Sequence, residues 1–312
     1  MTRVGIAGAG AWGLALALAA KRAGSDPILW SRRGPFTAED LSVAGDPAVL
    51  EQIDMLLFVC SAQELHGVAT RLAPHIAADL PLVICAKGIA RPEDRLLSDI
   101  LAETLPGRPI AVLSGPSFAH EVARGLPTAV TVACTDVAVA ERIANALSSA
   151  SFRPYVSTDP VGVQLGGAIK NVIAIGCGIV AGRAIGENAR AALISRGLAE
   201  TARLGRAMGA DQATFAGLAG MGDLNLTATS TTSRNFRLGF LMGQGKTLSE
   251  AGAEIEGVVE GVASAQAVVA LAGRYGIEMP IASAVAAIVE DGADIDRTIA
   301  GLLSRPLKSE TA

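Results

Sequence analysis

Residues Gly8-Ala9-Gly10-Ala11-Trp12-Gly13 read G-x-G-x-x-G, and they lie between an apolar run, Val4–Ala7, and a helical pattern, Trp12–Ala23. That strand–turn–helix context gives the motif its weight. The first glycine permits a tight turn, the second lets backbone approach a pyrophosphate, and the third lets helix and strand pack closely. The first helical turn adds N–H groups and partial positive charge for phosphate oxygens. The segment therefore predicts the opening of a doubly wound sheet, with a dinucleotide held by Gly8, Gly10, Ala11, Trp12 and Gly13. A secretory leader is the rival reading, because no charge occurs from Val4 to Ala20 after Arg3. Gly5, Gly8, Gly10 and Gly13 interrupt that run, and glycine is a poor helix former. No other stretch is expected to be long and apolar enough to span a bilayer.

The next strand bears on the cofactor. Enzymes specific for NAD usually end it with Asp or Glu, about 20 residues past the glycines, to bind the ribose 2′-hydroxyl. Here Pro27-Ile28-Leu29-Trp30 runs into Ser31-Arg32-Arg33. Two guanidiniums suit a 2′-phosphate, so NADPH is expected over NADH.

Short apolar runs and helical patterns alternate through the first half of the chain. Candidate strands are Val4–Ala7, Ile28–Trp30, Met55–Val59, Leu82–Ala86, Ile110–Leu113, Ala129–Ala133 and a run near Tyr155; Arg95–Leu105 and Val137–Leu147 are helical. Such alternation predicts a parallel sheet with helices on both faces and a crevice at the strands' carboxyl ends. After Ser157 the texture becomes helical, with candidates Val161–Ala181, Ala189–Met208, Arg234–Met242, Val258–Arg274 and Ile281–Glu290. The expected fold is an α/β Rossmann-type doubly wound sheet in residues 1–157, followed by an all-α domain in residues 158–312. Pro306–Ala312 is expected to be a frayed tail.

Composition excludes several function classes. The net charge of −4 argues against broad nucleic-acid binding, which needs clustered Lys and Arg. Cys60, Cys85, Cys134 and Cys177 form no Cys-x-x-Cys pair, and His66, His75 and His120 lack metal-ligand spacing, so neither disulfides nor a metal site is expected.

Further segments carry chemistry: Ala86-Lys87-Gly88-Ile89, Ser114-Gly115-Pro116-Ser117-Phe118-Ala119, Gly166-Gly167-Ala168-Ile169-Lys170-Asn171, Gly220-Met221-Gly222-Asp223-Leu224 and Ser233-Arg234-Asn235. Lys87 and Gly115 fall just past predicted strands. Lys170 sits inside an apolar helical pattern, where lysine is rarely found unpaired. Ser233-Arg234-Asn235 opens a helix, a place where backbone N–H groups also favour an anion.

In that order, these segments resemble the bacterial NAD(P)-dependent glycerol-3-phosphate dehydrogenases over nearly the whole chain. The resemblance implies reversible hydride transfer from NADPH, or NADH, to dihydroxyacetone phosphate, in a cytoplasmic enzyme supplying phospholipid synthesis. It implies that Lys170 gives and takes the proton beside Asp223, and that Lys87 touches both cofactor and substrate. Gly115 and Ser117 would lie along the substrate, and Ser233, Arg234 and Asn235 would hold it. Ala119, Arg234, Val258 and Glu260 would reach the cofactor. Desolvation, Lys87 and Arg234 should lower the lysine pKa, with Asp223 opposing. No macromolecular partner is implied, and the assembly expected is a homodimer.

The chain also departs from that family. Residues 34–53 are shorter than relatives usually carry, Phe58-Val59-Cys60-Ser61 replaces a Val-Pro-Ser pattern, and Leu14 and Phe236 replace polar residues. A β-hydroxyacid dehydrogenase is the nearest alternative, but that group usually spaces its lysine and asparagine one helical turn apart. Ketopantoate reductases lack the Gly-Pro-Ser-Phe-Ala run. A non-catalytic NADPH-binding regulator would not need Lys87, Lys170, Asp223, Arg234 and Asn235 together.

Overall fold

The computed structural model describes residues 1–306, so the expected tail lies outside the described residues from 307 onward. The first half runs β1 (Arg3–Ala7), α1 (Ala11–Arg22), β2 (Asp26–Trp30), β3 (Phe36–Ala38), β4 (Leu41–Ala44), β5 (Met55–Phe58), α2 (Leu65–Leu72), β6 (Leu82–Ile84) and α3 (Leu97–Thr104). It continues through β7 (Ile110–Ser114), α4 (Ala119–Ala123), β8 (Thr128–Cys134), α5 (Val137–Leu147) and β9 (Phe152–Ser157). One sheet joins these strands in the order β3-β4-β2-β1-β5-β6-β7-β8-β9. Buried side chains cover both faces. Leu16 and Ala20 of α1 pack with Ile6, Leu57 and Val83, while Leu65, Leu72 and Leu101 pack with Phe58 and Ile84 on the other.

The sheet is mixed rather than wholly parallel. Strands β4, β2, β1, β5, β6 and β7 run parallel, but β8 pairs antiparallel with β7, Ser114 opposite Thr131. A parallel neighbour needs a crossover helix that carries the chain back along the strand. The β7–β8 connection holds only the five residues of α4, about 7 Å of helix, too little to span a strand. The segment 34–53 is the one that is shorter than relatives usually carry. It folds as a β3–β4 hairpin, turning through Glu39 and Asp40 at φ 52° and 57°, and β4 extends the sheet beside β2.

After β9 the structure is helical: α6 (Pro160–Gly182), α7 (Glu187–Ala207), α8 (Gln212–Ala216), α9 (Asp223–Thr229), α10 (Arg234–Gly243), α11 (Leu248–Ala253), α12 (Glu260–Arg274), α13 (Pro280–Glu290) and α14 (Ile295–Leu303). Helix α6 is its axis. Its 23 residues are apolar enough, at mean hydropathy 1.6, to meet the length and composition of a membrane span, contrary to the expectation from sequence. Yet 89% of that stretch is buried within the protein, because α7, α9, α10, α12 and α13 all pack on it. A helix hydrophobic all round suits such a central place. Its closest neighbour is α10. A Cβ on Gly178 would lie 2.1 Å from the Phe236 carbonyl, and one on Gly239 2.0 Å from the Ile175 carbonyl, so these two backbones touch.

Candidate active site

Strands β1, β6 and β7 are parallel, so the residues just past them gather at one edge of the sheet. Past β1, Gly8 adopts φ +122°, and the third motif glycine is required by contact, since a Cβ on Gly13 would lie 1.8 Å from the Gly8 carbonyl oxygen. Gly10 differs. It caps α1 in extended conformation with no side-chain cap, and a Cβ there would meet nothing within 4 Å. The protein itself does not need a glycine at that position; a ligand lying against the backbone would. Trp12 Nε1 and Glu260 Oε2 are buried with no hydrogen-bond partner among the described residues. An open glycine cradle at a free helix N-terminus, with the unsatisfied Trp12 indole N–H in its first turn, fits a dinucleotide. Ala119, at the start of α4, packs in the same cluster as Ala9 and Trp12.

Past β6, Lys87 donates to the Gly115 carbonyl at 2.9 Å and to Asp223 Oδ2 at 2.7 Å. Lys170, in the middle of α6 where that helix meets α9, donates to Asp223 Oδ1 at 2.5 Å and to Thr227 Oγ1 at 2.8 Å. Lys170 is 8% exposed and Asp223 1%. Burial is the largest influence on the Lys170 ammonium and Lys87 adds to it; together they overcome the pull of Asp223 and lower its pKa to about 8. Burial alone would raise the Asp223 carboxyl, but Lys170 and Lys87 hold it below the usual range. Two ammonium groups thus share one buried carboxylate and leave net positive charge at the crevice.

Gly115 takes φ +144°, and a Cβ there would come within 2.9 Å of Val130 Cα, so glycine is required for the turn that aims its carbonyl at Lys87. Ser117 Oγ donates to the same carbonyl at 2.9 Å. A polar chain links the other helices to this point. Asn171 Nδ2 donates to the Lys87 carbonyl at 3.2 Å, Asn235 Nδ2 donates to Asn171 Oδ1 at 2.9 Å, and Asn235 Oδ1 accepts from the Gly261 N–H at 2.9 Å. Asn235 is therefore largely engaged within the protein. Ser233 is the N-cap of α10, its hydroxyl accepting from the Phe236 N–H at 3.3 Å. Arg234 is exposed at the same helix start, in space left open by Gly257, and its charge acts on Glu260. Burial pushes the Glu260 carboxyl up to about 7.

The structure thus brings Lys87, Gly115, Ser117, Lys170, Asp223 and Asn235 into one network. Arg32 and Arg33 lie apart on the turn past β2, where Arg32 is ion-paired with Glu64. Val258 is 55% exposed and precedes α12, which starts at Glu260 rather than at Val258 as the sequence pattern suggested, because Val259 is extended at the N-cap. Thr227 escaped sequence reading. Its signal was the four-residue step from Asp223, which puts both side chains on one face once α9 is known to be helical.

A Rossmann-type sheet carrying a glycine cradle, with a buried lysine–carboxylate pair supplied by a helical second half, defines a nicotinamide-dependent dehydrogenase. The comparisons narrow the class. Residues 36–140 match the family described as NAD-dependent glycerol-3-phosphate dehydrogenase N-terminus, and residues 159–300 match its C-terminus. The chain belongs to the NAD-dependent glycerol-3-phosphate dehydrogenase family. It is 51% identical to a glycerol-3-phosphate dehydrogenase [NAD(P)+] of Parvibaculum lavamentivorans, over 99% of this chain and 98% of the relative. It is 49% identical to the enzyme of that name from Caulobacter vibrioides, over 99% and 98%. The crystal structure of glycerol-3-phosphate dehydrogenase from Coxiella burnetii superposes with a TM-score of 0.92 at 39% identity, covering 97% of this chain and 99% of that one.

Proposed function

We propose that the protein reversibly reduces dihydroxyacetone phosphate to sn-glycerol 3-phosphate, using NADPH by preference and NADH as a second cofactor. The observation that carries the reading is the buried Lys170–Asp223–Lys87 cluster at the edge of the sheet that bears the Gly8–Gly13 turn. When bound, the nicotinamide supplies or accepts the hydride at the substrate's C2. Lys170 gives its proton to the oxygen that becomes an alkoxide, and takes it back in the reverse direction. With a pKa near 8, it can do both close to neutral pH. Lys87 stabilises the developing negative charge from a fixed place, tied to Asp223 and Gly115. Asp223 and Thr227 orient the Lys170 ammonium.

Arg234 and the free N–H groups at the start of α10 bind the substrate phosphate, and Ser117 lies along the carbon chain. Ser233 and Asn235 contribute by holding the backbone that presents Arg234. Gly8, Gly10, Ala11, Trp12 and Gly13 carry the pyrophosphate, Arg32 and Arg33 meet the 2′-phosphate, and Ala119, Val258 and Glu260 border the cofactor. Residues 1–157 act as the cofactor domain and residues 158–306 as the substrate domain. A cytoplasmic location and supply of glycerophospholipid synthesis belong to the proposal through family resemblance; a homodimeric assembly is proposed beside them. The purified protein should oxidise NADPH when dihydroxyacetone phosphate is added, and not with hydroxyacid-derived aldehydes or ketopantoate. Turnover with either of those, and none with dihydroxyacetone phosphate, would refute the assignment.

A further inference from the structure

A carboxylate stands beside the turn past β2, on the short helical turn that follows β5. Arg32 follows β2, Glu64 follows β5, and β1 lies between those strands in the sheet. The Arg32–Glu64 ion pair therefore passes over the end of β1, where the Gly8–Gly10 turn begins. Both side chains are about half exposed, at 47% and 45%, so a ligand in the crevice can reach them. The pair is also felt within the crevice. Arg32 and Glu64 both act on the Cys60 thiol at the end of β5, and Glu64 acts on the Glu260 carboxyl. Arg33, one residue on, is exposed and its side chain makes no ion pair among the described residues.

We propose that Glu64 is a specificity determinant that sets the balance between NADPH and NADH. The inference rests on the reading that Arg32 meets the 2′-phosphate. A phosphate arriving at Arg32 must compete with Glu64 for the guanidinium, and then has a carboxylate beside it. A ribose with a free 2′-hydroxyl meets no such penalty and can donate a hydrogen bond to the same carboxylate. Arg32 and Arg33 favour the phosphorylated cofactor, and Glu64 restrains that preference so that both cofactors stay in use.

The test is direct binding to the full chain, following the fluorescence of NADPH and of NADH in separate titrations, with thermal melting to check that each variant is folded. Glu64→Gln keeps the shape of the side chain and removes its charge. It should tighten NADPH by about fivefold, the scale of one exposed ion pair, and leave NADH unchanged or weaker. Glu64→Ala should move the ratio of the two dissociation constants in the same direction. Arg32→Gln separates the inference from the reading beneath it. If Arg32→Gln weakens NADPH while neither Glu64 variant moves the ratio, or the ratio shifts toward NADH, Glu64 does not restrain the NADPH preference and only the inference falls. If Arg32→Gln leaves NADPH affinity unchanged, the placement of the 2′-phosphate at Arg32 falls with it.

Discussion

Lys170 Nζ lies 2.5 Å from Asp223 Oδ1, and both groups are withdrawn from water. A buried pair of this kind owes its charged form to good geometry and further hydrogen bonds, because desolvation opposes each ion. Here Thr227 and Lys87 supply those bonds.

The ammonium should behave as an acid that titrates near pH 8. Ketone reduction needs the protonated form, so its rate should be level below that pH and fall above it. Alcohol oxidation needs the neutral amine and should rise toward a plateau above it. Lys170→Met should lower turnover by about 10²–10⁴ with NADPH still bound, the usual range for general acid–base catalysis. In Asp223→Asn the opposing carboxylate charge is gone, so the break in the pH–rate profile should move lower. Near-wild-type turnover in Lys170→Met would remove the lysine from the mechanism.

Gly10 and Gly13 should part company under substitution. A Cβ at Gly10 meets no protein atom, whereas one at Gly13 collides with the Gly8 carbonyl. Gly10→Ala should keep the wild-type melting temperature and bind NADPH at least about tenfold more weakly, roughly 1.4 kcal/mol. Gly13→Ala should lower the melting temperature itself. A Gly10→Ala protein with unaltered cofactor affinity would show that nothing lies against that backbone.

Arg234 tests substrate identity. Arg234→Met should cost about 2–4 kcal/mol in kcat/KM with dihydroxyacetone phosphate, the scale of breaking a hydrogen-bonded charge pair in a bound complex. The loss with unphosphorylated dihydroxyacetone should be much smaller, and Arg234→Lys should restore only part of the first, since lysine lacks the planar fork. The decisive quantity is the ratio of the two efficiencies. If it does not move, Arg234 does not read the phosphate.

Glu200 offers a test away from the site. This buried α7 carboxyl accepts from the Ile281 N–H at 2.8 Å and the Ala282 N–H at 3.3 Å, at the start of α13. Burial nevertheless raises its pKa to about 7. The unfolded chain ionises first, near 4.5, so this group should cost the fold stability as pH rises from there to about 7, after which the cost is constant. Relative to wild type, Glu200→Gln should therefore be more stable at pH 8 than at pH 5 by about 1–3 kcal/mol, measured by denaturant titration; the lost second acceptor for the Ala282 N–H lowers both values alike. An equal effect at both pH values would mean that the carboxyl does not titrate in this range.

The elements legible in the sequence were those whose burial is written in composition. The core strands β1, β5, β6 and β7 are short apolar runs, and α6, α7, α10, α12 and α13 are long patterns, each placed to within a few residues. The β3–β4 hairpin left little trace, since three- and four-residue strands at a sheet edge, with Phe36 exposed, show no sustained alternation. Helix α2 was overlooked although Leu65, Val68, Ala69 and Leu72 follow helical spacing. Helix α9 could not be read alone: its seven residues Asp223–Thr229 are short for a free helix and pack against α6. At the site, motifs marked the lysines and Asp223, whereas the Asn171–Asn235 link and the Arg32–Glu64 pair depend on contacts 32 or more residues apart and carry no local signature, and the four-residue step from Asp223 to Thr227 reads as a shared face only once α9 is known to be helical.

The glycine contacts between α6 and α10 carry one further consequence. Helix α6 bears Lys170 and Asn171, and α10 begins with Arg234 and Asn235, so on the proposed function the two helices would hold opposite ends of the substrate. Their backbones already touch at Gly178 and Gly239, with no side chain between them. The span from proton donor to phosphate grip is thus a ruler whose length is fixed by main-chain contact. Exchange of lining side chains can alter what is gripped but cannot shorten that ruler, and a bulkier residue at Gly178 or Gly239 would lengthen it only by prying the helices apart. If the proposed function holds, selectivity for a three-carbon phosphate over shorter or longer ones would be a property of the scaffold.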